Sequence, residues 1–319
     1  MTMRTHTVGL GWLSLRTLTA VQAFVGHHIR PRLWQRTPPD SLRFTRRGLT
    51  SEAQTFRGES ADALPPLESE STDVYVVSSC SRGVGNEFAR QLLGRTQGKV
   101  IGFVRDVEGP GVASLQSAFP DRFHSVQVDI CDQESVDRAK ETVMQYTKKL
   151  KMLFNVAGVL GDGATVPGPE RALSKIQREW LRHSLETNLI SHVMVTQALA
   201  PLLKGKSGSP CKIANLSARV GSIGDNGLGG WYSYRMSKSA LNMFTKTASI
   251  ELRRQKCVVV SLHPGTTNTD LSVPFQKNVK PEKLFPRWYS VRCLLDVVWS
   301  AKEEESGRFF AYDGSEIPW

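Results

Sequence analysis

Tyr234 and Lys238 lie four residues apart in the stretch Tyr234-Arg-Met-Ser-Lys238. On a helix this spacing puts both side chains on one face, about one turn apart. A cationic ammonium beside a phenol stabilises the phenolate and draws its pKa down from about 10. A phenol tuned in this way exchanges a proton with an oxygen atom, as reduction of a carbonyl or oxidation of an alcohol requires.

A second cluster lies upstream in Ser78-Ser-Cys-Ser-Arg-Gly-Val-Gly85. It follows a short apolar run and precedes a helical stretch. Glycines in a strand-to-helix turn let backbone N–H groups approach a pyrophosphate, and the helix N-terminus adds partial positive charge.

The elements that must position these residues begin at Asp73. Apolar, β-rich runs are expected as strands at Val74–Val77, Lys99–Val104, Phe123–Val128, Leu150–Val156, Lys212–Leu216, Cys257–Leu262 and Phe309–Ala311. Helical periodicity is expected over 86–93, 133–149, 174–203 and 232–254. Strands that alternate with helices across short turns imply right-handed crossovers and a parallel sheet covered on both faces. In such sheets a ligand binds beyond the carboxyl ends of the strands. Residues 73–319 are therefore expected to form a single α/β domain.

In these motifs the chain resembles the short-chain dehydrogenase/reductase family, whose cofactor loop reads Thr-Gly-x-x-x-Gly-x-Gly. Ser78 stands for the Thr and Ser79 for the first Gly, while Gly83 and Gly85 match. Asp129 matches the acid that contacts adenine. Asn155-Val-Ala-Gly158 matches the Asn-Asn-Ala-Gly element. Asn188 stands where the family has its catalytic-helix asparagine, and Pro264, Gly265 and Thr269 match the segment near the nicotinamide. The stretches from Asn215, from Gly229 and from Phe310 to Trp319 are similar to C-factor-like reductases, a group related to sniffer-type carbonyl reductases and closest in plant or algal organellar members.

The resemblance implies a Rossmann-like doubly wound sheet and an oxidoreductase that interconverts a carbonyl and an alcohol by hydride transfer. Tyr234 would be the general acid/base, assisted by Lys238 and by Asn188 holding a water. The cofactor would lie on Ser79, Ser81, Arg82, Gly83, Val84 and Gly85, then on Arg105, Asp129 and Ile130. Asn155, Ala157 and Gly158 would follow, with Tyr234, Lys238, Pro264, Gly265, Thr267 and Thr269 at the nicotinamide end. Val104 stands where NAD-preferring relatives carry Asp, and Arg105 follows it. Arg82 and Arg105 match the need of a 2′-phosphate for cations, so NADP(H) is expected rather than NAD. The family's Asn-x-Ser-Ser element reads Asn215-Leu-Ser-Ala218 here. Ser217 or Ser222 would then replace the serine missing at Ala218, with Ser217 favoured. Thr266–Phe285 is expected as a substrate lid. A homodimer or homotetramer is implied. The second expectation is a dinucleotide-binding signalling or regulatory protein of the C-factor type with little turnover.

The chain has 319 residues and a net charge of +11. Residues 1–50 hold eight arginines, no lysine and one acid, Asp40. Arg-rich, hydroxyl-rich and nearly acid-free, this block is expected to be an organelle transit peptide, mitochondrial or chloroplast. Arg16 interrupts its apolar stretch, so no integral membrane anchor is expected. It lacks the aromatic-interleaved basic cluster of a nucleic-acid-binding arm. Residues 51–72, acidic and rich in Ser, Pro and Gly, are expected to be a disordered linker. Five scattered cysteines without Cys-x-x-Cys spacing point to no metal site and no disulfide framework.

Overall fold

The computed structural model of the protein describes residues 64–161 and 168–319. The expected transit peptide (1–50) and linker residues 51–63 lie outside the described residues. The first half of the described domain runs β1 (Val74–Ser78), α1 (Gly83–Arg95), β2 (Lys99–Val104), α2 (Pro110–Ala118), β3 (Phe123–Gln127), α3 (Gln133–Tyr146) and β4 (Met152–Asn155). The second half runs α4 (Arg178–Leu185), α5 (Ser191–Leu199), β5 (Cys211–Leu216), α6 (Tyr232–Glu251), β6 (Cys257–His263), β7 (Thr266–Thr267), β8 (Leu284–Phe285), α7 (Arg287–Ser300) and β9 (Phe309–Ala311).

Seven strands form one parallel sheet in the order β3-β2-β1-β4-β5-β6-β9. The chain moves outward from β1 to β3, then crosses back to β4 on the other side of β1. That reversal leaves a crevice beyond the carboxyl ends of β1 and β4, where a doubly wound sheet binds its ligand. All five β1 residues are buried, as expected of a strand covered on both faces.

Alternate side chains of each strand feed two separate cores. Tyr75 and Val77 pack with Phe88 and Leu92 of α1 and with Leu294 and Val298 of α7. Val74 and Val76 pack with Val136 and Val143 of α3, Val195 and Leu199 of α5 and Ala248 of α6. Each fully buried Leu, Val or Phe stabilises the fold by about 1.5–3 kcal/mol. Lys212 of β5 straps the sheet to α7, donating its buried ammonium to the carbonyls of Val298 and Trp299 at 2.7 Å and Ala301 at 2.9 Å. These carbonyls lie at and just past the C-terminus of α7, where helix carbonyls run short of intrahelical partners.

Three differences from the expected elements have physical causes. The helix expected over 174–203 is divided, because five residues, Glu186–Ile190, form a π turn between α4 and α5. Helix α7 and helix α2 were not anticipated: α7 buries residues on several sides, and α2 opens on a Pro-Gly pair that mimics a turn. The end of the expected linker is docked rather than disordered. Leu67 N–H donates to the Arg95 carbonyl at 2.7 Å, Arg95 Nε donates to the Pro65 carbonyl at 2.9 Å, and Trp299 Nε1 donates to the Glu68 carbonyl at 3.0 Å. Leu67 also packs on the core, so the ordered domain begins before Asp73.

Candidate active site

The turn after β1 has the form expected for holding a phosphate. Ser79 has φ 59°, in the left-handed region that favours glycine. The bend is therefore kept although a side chain occupies it. Gly85 permits the close approach of α1 to this turn, since a Cβ there would lie 2.2 Å from the Ser79 carbonyl oxygen. Gly83, at φ +62°, faces open space. Helix α1 starts at Gly83 with no capping side chain and no acid in its first turn. Its first N–H groups and positive end are therefore available to an anion, and the residues present fit a dinucleotide pyrophosphate. Ser81 and Val84 flank Gly83. Ser78, one residue before the bend, accepts the Val156 N–H at 3.0 Å and so joins this turn to the end of β4.

Arg105 is exposed at the end of β2, and Asp129 is exposed beyond β3 with Ile130 beside it. Arg82 points elsewhere: its guanidinium pairs with Asp270 at 3.6 Å, both side chains largely in solvent. A cavity of about 560 Å³ opens there, lined by Arg82, Gly83, Thr269, Asp270 and Trp288 among others. The segment 266–285, expected as a lid, is tied at its two ends by a short parallel pair, Thr266 with Leu284 and Thr267 with Phe285. Gly265, at φ +71°, is needed just before this segment because a Cβ would lie 2.4 Å from the Phe285 ring. The Pro264 carbonyl accepts the Ser290 hydroxyl at 2.7 Å, and Thr267 Oγ1 lies 3.0 Å from Ser290 Oγ. Thr269 N–H donates to Ser272 Oγ at 3.2 Å.

Asn155 lies beneath the crevice rather than on its surface. Fully buried, it donates its amide to Thr196 Oγ1 and to Asn215 Oδ1, both at 2.9 Å. Asn215 donates to Thr245, which Ser261 also reaches, so a polar chain crosses β4, β5 and β6. Beyond it, Ala157 holds His192 Nε2 on its carbonyl at 2.9 Å. A Cβ on Gly158 would lie 3.5 Å from Asn188 Oδ1 and 3.8 Å from Lys238 Nζ. This glycine therefore lies beside both.

Asn188 sits in the π turn, a helix defect of the kind that recurs at functional sites. Its Oδ1 accepts the Val159 N–H at 2.7 Å. Its Nδ2 contacts the Val159 carbonyl at 3.0 Å and the hydroxyls of Ser184 and Ser237, both at 3.1 Å.

Tyr234 and Lys238 project from the first turns of α6. Lys238 Nζ donates to the Leu216 carbonyl at 2.8 Å and lies 5.8 Å from the centre of the Tyr234 ring. Burial pushes the ammonium down to about 7 and pushes the Tyr234 phenol up. The direction is opposite to the lowering expected from the spacing, and its cause is the burial of the phenol.

The two candidate serines differ. The Ser222 hydroxyl donates to the Pro318 carbonyl at 2.5 Å and accepts the Asp225 N–H at 3.0 Å. The Ser217 hydroxyl is buried and has no hydrogen-bond partner among the described residues. Only Ser217 has a hydroxyl free for another group.

Four residues around this site are not among the expected site residues, although Trp231 and Arg235 lie in the stretch from Gly229. Trp231, whose ring lies 6.3 Å edge-on to Tyr234 and 5.3 Å from Phe275 of segment 266–285, is preceded by Gly229-Gly230, which could have signalled a left-handed turn. Glu170, Arg235 and His192 contact the site through partners that no spacing reveals.

The family profile described as short chain dehydrogenase matches residues 73–280. The chain is 37% identical to C-signal of Myxococcus xanthus over 161 residues, covering 50% of this chain and 92% of that protein. It superposes on the NADPH-bound carbonyl reductase from chicken fatty liver with a TM-score of 0.68 and 28% identity, over 77% of this chain and 98% of the other. For the carbonyl reductase Sniffer of D. melanogaster the TM-score is 0.67 and the identity 26%, over 78% and 99%. With the parallel sheet, the glycine turn and the Tyr234–Lys238 pair in place, the chain belongs to the short-chain dehydrogenase family and is an oxidoreductase.

Proposed function

We infer that the protein interconverts a carbonyl and an alcohol with NADP(H), using Tyr234 as the proton-transfer group. The observation that carries this reading is the convergence of Tyr234, Lys238, Asn188 and Gly158 at one end of the switch-point crevice. The bound nicotinamide cofactor supplies or accepts the hydride. The N–H groups at Ser81, Gly83 and Val84 would hold its phosphates. Ser79 and Gly85 shape that turn, while Asp129 and Ile130 would flank adenine. Ala157, Gly158, Pro264, Gly265, Thr267 and Thr269 would line the nicotinamide end, and Asn155 supports them from below. Arg105 would supply a cation that favours NADP over NAD, and Arg82 would add a second once released from Asp270.

Tyr234 delivers its proton to the substrate oxygen as that oxygen gains charge in the reductive direction. Lys238 in its ammonium form stabilises the phenolate left behind. Ser217 donates a hydrogen bond to the developing oxyanion in place of the serine absent at Ala218. Asn188 holds the π turn against α6 and positions the water that returns a proton. The Trp231 ring beside Tyr234 and the Phe275 ring beside Trp231, with exposed Ile223 and Leu228 on the loop before α6, favour an apolar aldehyde or ketone.

NADPH oxidation over a panel of aldehydes, ketones and quinones tests the reading. Turnover by the wild-type protein is expected, with Tyr234→Phe slower by about 10²–10⁴. Cofactor binding without oxidation by any carbonyl would instead favour a signalling or regulatory role, the second reading that the likeness to C-signal supports.

Among the described residues no helix is long and apolar enough to cross a membrane. Met236, Met243 and Ile250 repeat every seven residues along α6 and are exposed, which supports a homodimer or homotetramer, testable by light scattering. Residues 1–50 support import into a mitochondrion or chloroplast. A fluorescent fusion of residues 1–72 that stayed in the cytosol would refute import.

A further inference from the structure

Three consecutive residues ahead of α6 are left-handed: Gly229 at φ 65°, Gly230 at φ 64° and Trp231 at φ 55°. For the bulky Trp231 this conformation is costly and persists only where its surroundings enforce it. Trp231 occupies the N-cap position of α6 but offers no capping side chain. The N–H groups of the first turn therefore need an acceptor from elsewhere.

Glu170 is that acceptor, from 63 residues away in sequence. Its buried carboxylate takes the Ser233 N–H at 3.3 Å and the Ser233 hydroxyl in a short bond. Its backbone carbonyl takes the Trp231 N–H at 2.5 Å. On the other side, the Arg235 guanidinium donates to the carbonyls of Gly229 at 3.0 Å, Gly230 at 2.9 Å and Val220 at 3.1 Å. Glu170 satisfies the Trp231 and Ser233 donors, and Arg235 the Gly229 and Gly230 acceptors. Tyr234 lies between Ser233, which Glu170 holds, and Arg235, which is fixed by its own bonds to the bend.

We propose that Glu170 is a positioning residue that sets the Tyr234 phenol for proton transfer by clamping Trp231 and Ser233. The proposal rests on the reading of Tyr234 as the proton-transfer group. A displacement of the phenol by about 1 Å costs on the order of 10²-fold in rate. None of the clamp's bonds reaches the glycine turn.

The test pairs turnover with amide hydrogen exchange on the full chain. Glu170→Ala is expected to lower kcat by about 10- to 100-fold while the affinity for NADPH stays within about twofold. Exchange at the Ser233 amide should speed up about tenfold or more as its carboxylate acceptor is lost, while the Trp231 amide keeps the Glu170 backbone carbonyl. Glu170→Gln, which keeps an acceptor oxygen and guards against misfolding, should restore kcat to within about threefold. Glu170→Ala combined with Ser233→Ala should be no slower than Glu170→Ala alone, because both remove one interaction. Unchanged Ser233 exchange in Glu170→Ala overturns the clamp whatever the turnover. Wild-type kcat in that variant, an additive double variant, or an equal loss of NADPH affinity overturns the positioning role. A wild-type protein inactive on every carbonyl overturns the reading of Tyr234, and with it the assignment of Glu170 to proton transfer. The exchange result still separates the two failures.

Discussion

Asn188 donates its side-chain amide to the hydroxyl of Ser237, which lies directly before Lys238, at 3.1 Å. The same amide group accepts the Val159 N–H and reaches its carbonyl, so one side chain ties the π turn to the loop after β4 and to α6. Removing it leaves buried donors and acceptors unpaired, at about 1–3 kcal/mol for each group. Asn188→Ala is therefore expected to lower the thermal midpoint and to reduce kcat/KM more than the loss of folded protein explains. Asn188→Asp, which keeps the acceptor for Val159 N–H, should retain more stability than activity. Equal losses in both variants, measured on protein verified as folded, would reject a role beyond packing.

Ser217 and Ser222 are separable by what their hydroxyls already do. Ser222 is occupied by Pro318 and Asp225, whereas Ser217 is buried without a partner among the described residues. Ser217→Ala should lower kcat by about 10²–10³ with little loss of stability, since no existing bond is broken. Ser222→Ala should destabilise the protein and leave kcat of the folded fraction nearly unchanged. Steady-state kinetics beside thermal melts distinguish the two; the opposite pattern would move the oxyanion donor to Ser222.

Cofactor preference should respond to two substitutions in opposite directions. Arg105→Asp is expected to favour NADH over NADPH, by loss of a cation and gain of a carboxylate at the ribose end. Asp270→Asn releases Arg82 from its 3.6 Å ion pair and should tighten NADPH binding several-fold. An unchanged NADPH-to-NADH ratio of kcat/KM in both would remove the two arginines from the 2′-phosphate site.

What the sequence discloses is what acts locally. The Tyr234–Lys238 spacing, the glycine turn and the β-rich runs each carry their cause within a few residues, and the structure has those elements where they were expected. The π turn was hidden because the helical pattern of 174–203 runs through it without a Gly or Pro before Pro201. Helix α7 was hidden because it is apolar on several sides, and docked residues 64–72 because their polar composition resembles a linker. Glu170 acts on Ser233 across the fold, so no local signal marks it. The phenol's pKa was misjudged because spacing reports the neighbouring charge but not the burial, which raises it here.

Ser79→Gly should stabilise the protein. Ser79 holds φ 59°, where a side chain is strained, and glycine relieves that strain at some cost in unfolded-chain entropy. The net gain expected is about 0.5–1 kcal/mol in urea unfolding at constant m. A loss of stability would mean that the Ser79 side chain contributes a contact worth more than the strain.

Acid should weaken the fold through His192 and His263. Burial, with Lys238 near the first and Arg219 near the second, holds their pKa values down at about 3 and about 4. The Nδ1 atom of each is buried without a partner, so protonation there would place an unpaired N–H and a charge in the interior. The folded pKa of each lies below the unfolded value of about 6.5, so the unfolded state takes up protons first as pH falls. Stability contributed by the neutral rings is complete above pH 6.5 and declines below it. Each ring contributes a slope of about 1.4 kcal/mol per pH unit in that range. Carboxylates add to acid loss only nearer their own pKa values, so the interval from pH 6.5 to 5 isolates the histidines. Urea unfolding across that interval should show the slope in the wild-type protein. His192→Gln, which keeps a donor for the Ala157 carbonyl, and His263→Asn should each remove part of it, leaving a remainder to His124, whose pKa burial also lowers. A slope undiminished by the double substitution would assign the acid sensitivity to other groups.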